Sequence, residues 1–161
     1  MKKALLNKLL YCLGAVAIGS TALPASSTAL QISQSRSEQD LQCVELKDAQ
    51  FELSFIHSVS LTPVIDKYQI LETNNGFKIR QTEEVFLTHG QGLPSLTQEP
   101  DALSFELING SFVLKMNREI SNLIVRTDAR FENKLRTGSK NINLNKWPDT
   151  GLRITPITSC H

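Results

Sequence analysis

The sequence has no excess of charge of either sign. It carries 17 Lys and Arg against 16 Asp and Glu, a formal net charge of +1 at pH 7. A protein that binds the nucleic-acid backbone needs a clustered surplus of basic residues, and this balance argues against one. Familiar catalytic patterns are also missing, among them G-x-S-x-G, H-E-x-x-H, the P-loop and G-x-G-x-x-G. What is present is an ordinary globular composition, 40% hydrophobic and 20% charged, in a chain of 161 residues, the size of one domain.

No apolar run reaches the roughly 20 residues that a membrane-spanning helix needs. The uncharged run 9–18 follows three lysines and precedes small residues, a pattern typical of a secretory signal peptide. We predict a signal peptide over residues 1–29 with cleavage after Ala29; cleavage after Ala25 and an uncleaved anchor are the alternatives. Removing it leaves 132 of the 161 residues, with 14 of the 17 basic and all 16 acidic side chains. The mature protein is expected to be periplasmic, without a membrane span or a nucleic-acid partner.

Two of the three cysteines, Cys43 and Cys160, lie outside the predicted signal peptide. In an oxidising compartment such a pair is expected to form a disulfide. It would close a loop of more than 100 residues, worth roughly 4–5 kcal/mol in the chain-entropy account. A redox pair is the alternative, but the C-x-x-C spacing typical of one is absent.

Residues 30–41 are polar and rich in Ser and Gln, and we interpret them as a flexible leader to a single domain over 42–161. From there apolar and polar residues alternate with a period of two, which predicts half-buried strands. Asn75-Gly76 and Asn109-Gly110 each separate two such runs and suit tight hairpin turns. The predicted fold is all-β, a single antiparallel sandwich or small barrel of about eight or nine strands. Residues 128–137 are compatible with one short helix capped by Asp128. The predicted strands are 51–57, 64–74, 77–88, 103–108, 111–116, 121–127, 141–145 and 151–157.

Four polar residues fall on what this pattern makes an apolar face: His57, Asp66, Tyr68 and Glu83. The first hairpin can pair in two registers, and the partner of a given residue differs by two positions between them. Both keep Asp66, Tyr68 and Glu83 on one face, because the parity does not change. Two half-buried carboxylates need a partner, which His57 could supply. A satisfied structural network, an exposed strand end, a ligand or metal site, and general acid–base catalysis all stay open.

A glycine loop follows the same hairpin. Gly90 and Gly92 permit positive φ and close backbone approach, so the loop can direct N–H groups at an anion, or it is only a bend before a proline. His89 beside it is a candidate metal ligand together with His57. Two histidines on separate elements are a weak metal signal compared with a tightly spaced pair. No cofactor is assigned from the sequence.

The motifs together resemble a bacterial family of unknown function, domain of unknown function 1850. The matching residues are Phe51–Val59 (FELSFIHSV), Thr62-Pro63-Val64, the acid Asp66, the aromatic Tyr68, an acid at Glu83 or Glu84, and Gly90, Gly92, Leu93 and Pro94. The family usually has Glu where this chain has Asp66, which shortens the reach of the carboxylate by one methylene. Cys43 and Cys160 are not part of the family pattern. The resemblance implies an exported β-rich domain, often encoded beside or fused to TRAP-type transporters of the TAXI class, which take up organic acids.

The function we predict is a non-enzymatic, exported accessory domain. Its candidate ligand-binding residues are His57, Asp66, Tyr68, Glu83, Gly90 and Gly92, and its partner is a TRAP-type transporter component or a small organic ligand. One alternative is a periplasmic metal-binding protein using His57 and His89. A small hydrolase using Asp66 and Glu83 is the less favoured alternative, since two carboxylates can flank a glycosidic bond.

Overall fold

The computed structural model describes residues 28–88, 90, 94, 99–138 and 140–161. Within these residues the chain forms eleven β-strands and two 3-10 turns, at Ala129–Phe131 and Leu144–Lys146. The strands are β1 (Thr28–Gln34), β2 (Asp40–Leu46), β3 (Gln50–Ile56), β4 (Pro63–Thr73), β5 (Gly76–Phe86), β6 (Ala102–Ile108), β7 (Ser111–Ile120), β8 (Leu123–Arg126), β9 (Lys134–Thr137), β10 (Lys140–Asn143) and β11 (Gly151–Ile157).

The strands form two antiparallel sheets. The small sheet has the order β2-β1-β11-β8, and the large sheet has the order β10-β9-β3-β4-β5-β7-β6. Neither sheet closes into a barrel, so the all-β prediction is confirmed in its sandwich form, with more strands than the eight or nine expected. No helix in the described part of the chain is long and apolar enough to cross a membrane.

The alternation of apolar and polar residues places the core between the sheets. Leu30 and Ile32 of the small sheet and Phe51 and Leu53 of the large sheet belong to one buried cluster. A second cluster occupies the same face of the large sheet further along its strands, where Val64, Phe86, Leu114 and Met116 are buried together. Polar residues of β4 and β5 lie in the register between the two clusters, and they form the site described below.

Residues 30–41 contradict the predicted leader. Residues 28–34 form β1, which lies between β2 and β11 inside the small sheet. Ala29, Leu30 and Ile32 are completely buried. The Ser and Gln residues of this segment alternate with those apolar side chains. Its polar composition resembles that of a linker, although the alternation has the period of two that is typical of a strand. Residues 1–27, which hold most of the predicted signal peptide, lie outside the described residues.

The short helix expected near 128–137 is reduced to a 3-10 turn. Asp128 caps that turn as predicted, because its carboxylate accepts the backbone N–H of Arg130 at 2.9 Å. Glu132 then adopts a left-handed conformation with φ of 47°, which ends the turn. The chain continues as β9, where Leu135 is fully buried opposite Leu53 of β3. Tertiary burial of that leucine outweighs the local preference for a helix.

The two Asn-Gly hairpins differ in detail. Asn109 and Gly110 both have positive φ, 50° and 81°, as a two-residue type I′ turn requires. In the first hairpin Thr73 pairs with Gly76, so the loop residues are Asn74 and Asn75. Gly76 follows the loop with φ of 111°, a conformation that side-chain-bearing residues avoid.

The predicted disulfide is confirmed. Cys43 of β2 is bonded to Cys160, which follows β11, across a sequence separation of 117 residues. The backbone N–H of Cys160 also donates to the carboxylate of Glu45 at 2.6 Å. The disulfide therefore fixes the segment after β11 to β2, the outermost strand of the small sheet.

Candidate functional site

A β-bulge between β4 and β5 decides which acid joins the polar cluster. Near the hairpin turn Tyr68 pairs with Gln81, whereas beyond the irregularity Lys67 pairs with Glu83 and Asp66 with Glu84. One extra residue in β5 reverses the face on which the following residues lie. The prediction that Glu83 shares a face with Asp66 is therefore wrong, and Glu84 takes that place.

Glu83 lies on the opposite face of the large sheet. Its carboxylate accepts a hydrogen bond from the ammonium of Lys67 at 2.7 Å, and both side chains are partly solvent-exposed. Such a surface ion pair is worth about 0–1 kcal/mol. Glu83 therefore takes part in a surface contact and not in the cluster.

Asp66 is the centre of the polar cluster. Its carboxylate accepts one hydrogen bond from the Tyr68 hydroxyl at 3.2 Å and another from the Gln81 amide at 3.1 Å. Loss of water around the carboxylate raises its pKa to about 6, while the two hydrogen bonds and the charge of Arg118 partly oppose that rise. Asp66 is thus held in place by neutral donors rather than by a cation.

Glu84 is the second carboxyl of the cluster and lies directly opposite Asp66. Cβ atoms of directly opposed residues are about 4.5–5.5 Å apart, so the two carboxyl groups repel each other when both are ionised. Burial first, and then the charges of Asp66 and Glu99, raise the pKa of Glu84 to about 7, with Arg118 acting in the opposite direction. Asp66 ionises first, and its charge makes the ionisation of Glu84 harder.

Arg118 is a cation on the same face of the sheet whose charge acts on both carboxyl groups. It lies opposite Gln81 in the register, but its guanidinium is bound to Glu99 and, at 3.3 Å, to Asp101. Because those two carboxylates already neutralise it, Arg118 only partly offsets the repulsion between Asp66 and Glu84. The carboxyl groups of Asp66 and Glu84 therefore change protonation state near neutral pH.

Tyr68 connects the cluster to the core. Its ring stacks on Phe51 with the centroids 4.9 Å apart, and only 5% of the residue is exposed. Burial and the neighbouring Asp66 carboxylate raise the pKa of the phenol, which keeps it a hydrogen-bond donor. The hydroxyl is the polar tip of a side chain that is otherwise core.

His57 ends β3 and shapes the turn into β4. Its Nδ1 accepts the backbone N–H of Ser60 at 3.2 Å, so the neutral ring carries its proton on Nε2. The His57 backbone N–H donates to the Thr62 carbonyl, and its carbonyl accepts the N–H of Leu61, both at 2.9 Å. His57 thus organises the loop 57–62 as well as bordering the cavity described next.

A cavity of about 320 Å³ lies where β3 and β4 of the large sheet approach β8 of the small sheet. His57, Asp66 and Tyr68 all line it, so three of the predicted site residues meet at one place. Apolar side chains provide most of the remaining wall, including Leu53, Phe55, Leu123, Val125, Phe131 and Leu144. An apolar cavity with a few fixed polar groups is the usual form of a ligand site.

The other predicted site residues do not join this group. Gly90 is exposed and is not among the described residues that line the cavity. Gly92 and the candidate metal ligand His89 lie outside the described residues. Among the residues that the structure does describe, there is no group of three or more His, Cys, Asp or Glu side chains able to hold a metal ion.

Sequence reasoning missed Glu84, Gln81 and Arg118 as members of the cluster. Gln81 is 5% exposed and looks like an ordinary polar residue of a hairpin. The sequence signal for Glu84 is the family resemblance, which places an acid at Glu83 or Glu84, and the choice between them depends on a bulge of one residue that exchanges the two faces. Arg118 lies beyond the predicted end of its strand at residue 116, because β7 continues to Ile120.

The family profile described as "Domain of unknown function (DUF1850)" matches residues 51–144. The chain belongs to this family. The match runs from β3 to the second 3-10 turn and contains His57, Asp66, Tyr68, Glu84 and Arg118. Strands β1, β2 and β11 lie outside it, as do the disulfide-bonded Cys43 and Cys160. Comparisons with curated proteins and with solved structures gave no match.

Proposed function

We propose that this DUF1850 protein is an exported, non-enzymatic binding domain whose site is the cavity between the two sheets. The observation that carries the proposal is the convergence of His57, Asp66 and Tyr68 on one apolar cavity of about 320 Å³. That volume falls at the small end of the range typical of ligand pockets, roughly 300–1,000 Å³.

The arrangement of the acids favours binding over catalysis. Asp66 is already engaged by Tyr68 and Gln81, and Glu84 lies beside it on the neighbouring strand. Two carboxylates that act on a glycosidic bond stand on opposite sides of the substrate instead. A protonated carboxyl and a phenol near neutral pH suit hydrogen bonding to a polar end of a ligand.

Export to the periplasm is part of the proposal. The basic and then apolar N-terminus supports it, as does the disulfide between Cys43 and Cys160, a bond typical of oxidising compartments. We further propose that the domain serves a TAXI-class TRAP transporter, through either a transporter component or the organic acid that is carried. This step follows from the family resemblance alone, because members of the family are often encoded beside such transporters or fused to them.

Backbone amide shifts of the ¹⁵N-labelled protein test the binding site. A panel of small mono- and dicarboxylic acids is titrated, and shifts are expected at cavity residues such as Phe55, His57 and Val125. Val125→Trp should fill the cavity and abolish those shifts. Leu107→Trp is the control, since Leu107 is also an apolar strand residue but is 67% exposed on β6 and does not line the cavity. Shifts that survive Val125→Trp, or that cluster elsewhere, would contradict the proposal.

A further inference from the structure

The cavity is lined by runs of consecutive residues, which is unusual for a space enclosed by side chains. Residues 53–58 and 123–126 all border it. Successive side chains of a strand point to opposite faces, so consecutive residues can line one space only where the edge of the strand faces it. Two strand edges, with their backbone donors and acceptors, therefore look into the cavity.

The first edge belongs to β8, the last strand of the small sheet, which pairs only with β11 in the described part of the chain. The N–H of Thr127 donates to the carbonyl of Thr150 at 2.9 Å, in line with the register of that pair. In an antiparallel ladder the backbone groups of alternate residues point the same way. Those of Leu123 and Val125 consequently face β11, and those of Ile124 and Arg126 face the cavity.

The second edge belongs to the end of β3. The N–H of His57 donates to Thr62 on the β4 side, so the backbone groups of Ile56 point away from β4. Strand β9 covers that side of β3 only from Glu52 to Ser54. The left-handed residue Glu132 turns the chain away before it can pair with Ile56. The cavity is therefore a slot between two open strand edges.

We propose that this slot receives an extended peptide segment of alternating apolar and acidic residues, which adds to β8 as a fifth strand of the small sheet. The inference rests on the proposed function and names the partner of the same cavity. Edge strands with free backbone groups are the usual template for such strand addition. Because the slot is bounded by β3 as well as β8, it fits a single extended chain better than the edge of a second folded copy.

The side chains of β8 specify the peptide chemistry. Leu123 and Val125 point inward, so every second residue of the added strand would be apolar and enter the cavity. Arg126 lies on the exposed outer face, and no hydrogen bond or ion pair within the described part of the chain involves its guanidinium. The residues of the added strand on that face would be acidic, because opposite charges on neighbouring strands attract.

The test uses a fluorescein-labelled octapeptide that alternates glutamate and valine, with the lysine–valine peptide as the charge control. Ile124→Pro removes one N–H from the open edge without removing a bond to β11, and Ile124→Val is its matched control. We expect Ile124→Pro to weaken binding about tenfold, the scale of losing one or two hydrogen bonds. Arg126→Glu should shift the preference toward the lysine peptide, which keeps the inference testable should the proline variant not fold.

Hydrogen exchange separates this inference from the proposed function. On peptide binding the amides of Ile124 and Arg126 should gain protection, while those of Leu123 and Val125 are already bonded to β11. Suppose that Val125→Trp abolishes peptide binding, that Ile124→Pro leaves it unchanged, and that neither edge amide gains protection. Strand addition is then wrong, and the cavity remains the binding site. If the peptide binds none of these proteins, or if sedimentation shows a dimer that Ile124→Pro dissociates, the peptide partner is overturned.

Discussion

Replacement of Glu84 by Gln should flatten the pH dependence of folding stability. Burial and the Asp66 charge raise the pKa of Glu84 from an ordinary value near 4.5 to about 7. The folded protein therefore holds this proton more tightly than the unfolded chain does. Stability is highest below the unfolded pKa and falls as the pH rises through the folded pKa. Full ionisation of Glu84 costs roughly 3 kcal/mol on this basis, of which about 2–3 kcal/mol appears between pH 5 and 8.5.

Urea denaturation followed by the fluorescence of Trp147, the only tryptophan, measures this effect at pH 5 and 8.5 with the disulfide intact. Glu84→Gln should be more stable than the wild type by about 2–3 kcal/mol at pH 8.5, and by much less at pH 5. Asp66, with a pKa of about 6, keeps part of the slope in both proteins. Glu119→Gln is the matched control, since Glu119 is exposed and paired with Lys78. Equal slopes for wild type and Glu84→Gln would refute the reasoning.

Four further predictions address the fold. Replacing both Cys43 and Cys160 by Ser should lower the free energy of unfolding by about 4–5 kcal/mol in urea, given the 117-residue separation; an unchanged denaturation midpoint would contradict this. Gly110→Ala should cost about 1–2 kcal/mol because of its φ of 81°, and a neutral result would argue against the type I′ turn. Leu135→Ala should cost about 2–5 kcal/mol, as the residue is fully buried, and a loss under 1 kcal/mol would place β9 elsewhere. Because Thr28 and Ala29 are buried in β1, we expect cleavage after Ala25 in place of the cleavage after Ala29 predicted from the sequence, and the intact mass of the exported protein should show it; a mature chain that starts at residue 30 would contradict that.

The fold could be predicted largely because alternation survives in most strands. The predicted strand 151–157 matches β11, and Asn109-Gly110 forms the expected turn. The small sheet was harder to recognise. Strand β1 combines buried Leu30 and Ile32 with Ser and Gln, and its role becomes clear only when β2 and β11 are placed on either side. Composition alone does not distinguish a polar linker from a strand whose outer face is polar.

The candidate site shows a sharper limit of sequence reasoning. His57, Asp66 and Tyr68 are correctly placed near one another by parity within β3 and β4. Glu84 could not be chosen over Glu83, since the two differ only through a bulge of one residue in β5. Such a bulge is set by how β5 pairs with β4 and β7 at the same time, and that is a property of the sheet.

The claim that binding occurs between the sheets can be tested directly with 4-carboxy-TEMPO, a small organic acid that carries a nitroxide. Its paramagnetic broadening of backbone amide signals reports where the probe resides. The rival location is a groove of about 560 Å³ bordered by Glu52, Lys67 and Glu83 on the outer face of the large sheet. Binding between the sheets should give broadening centred on Phe55 and Val125. Broadening centred on the outer groove, or none at millimolar probe, would contradict it.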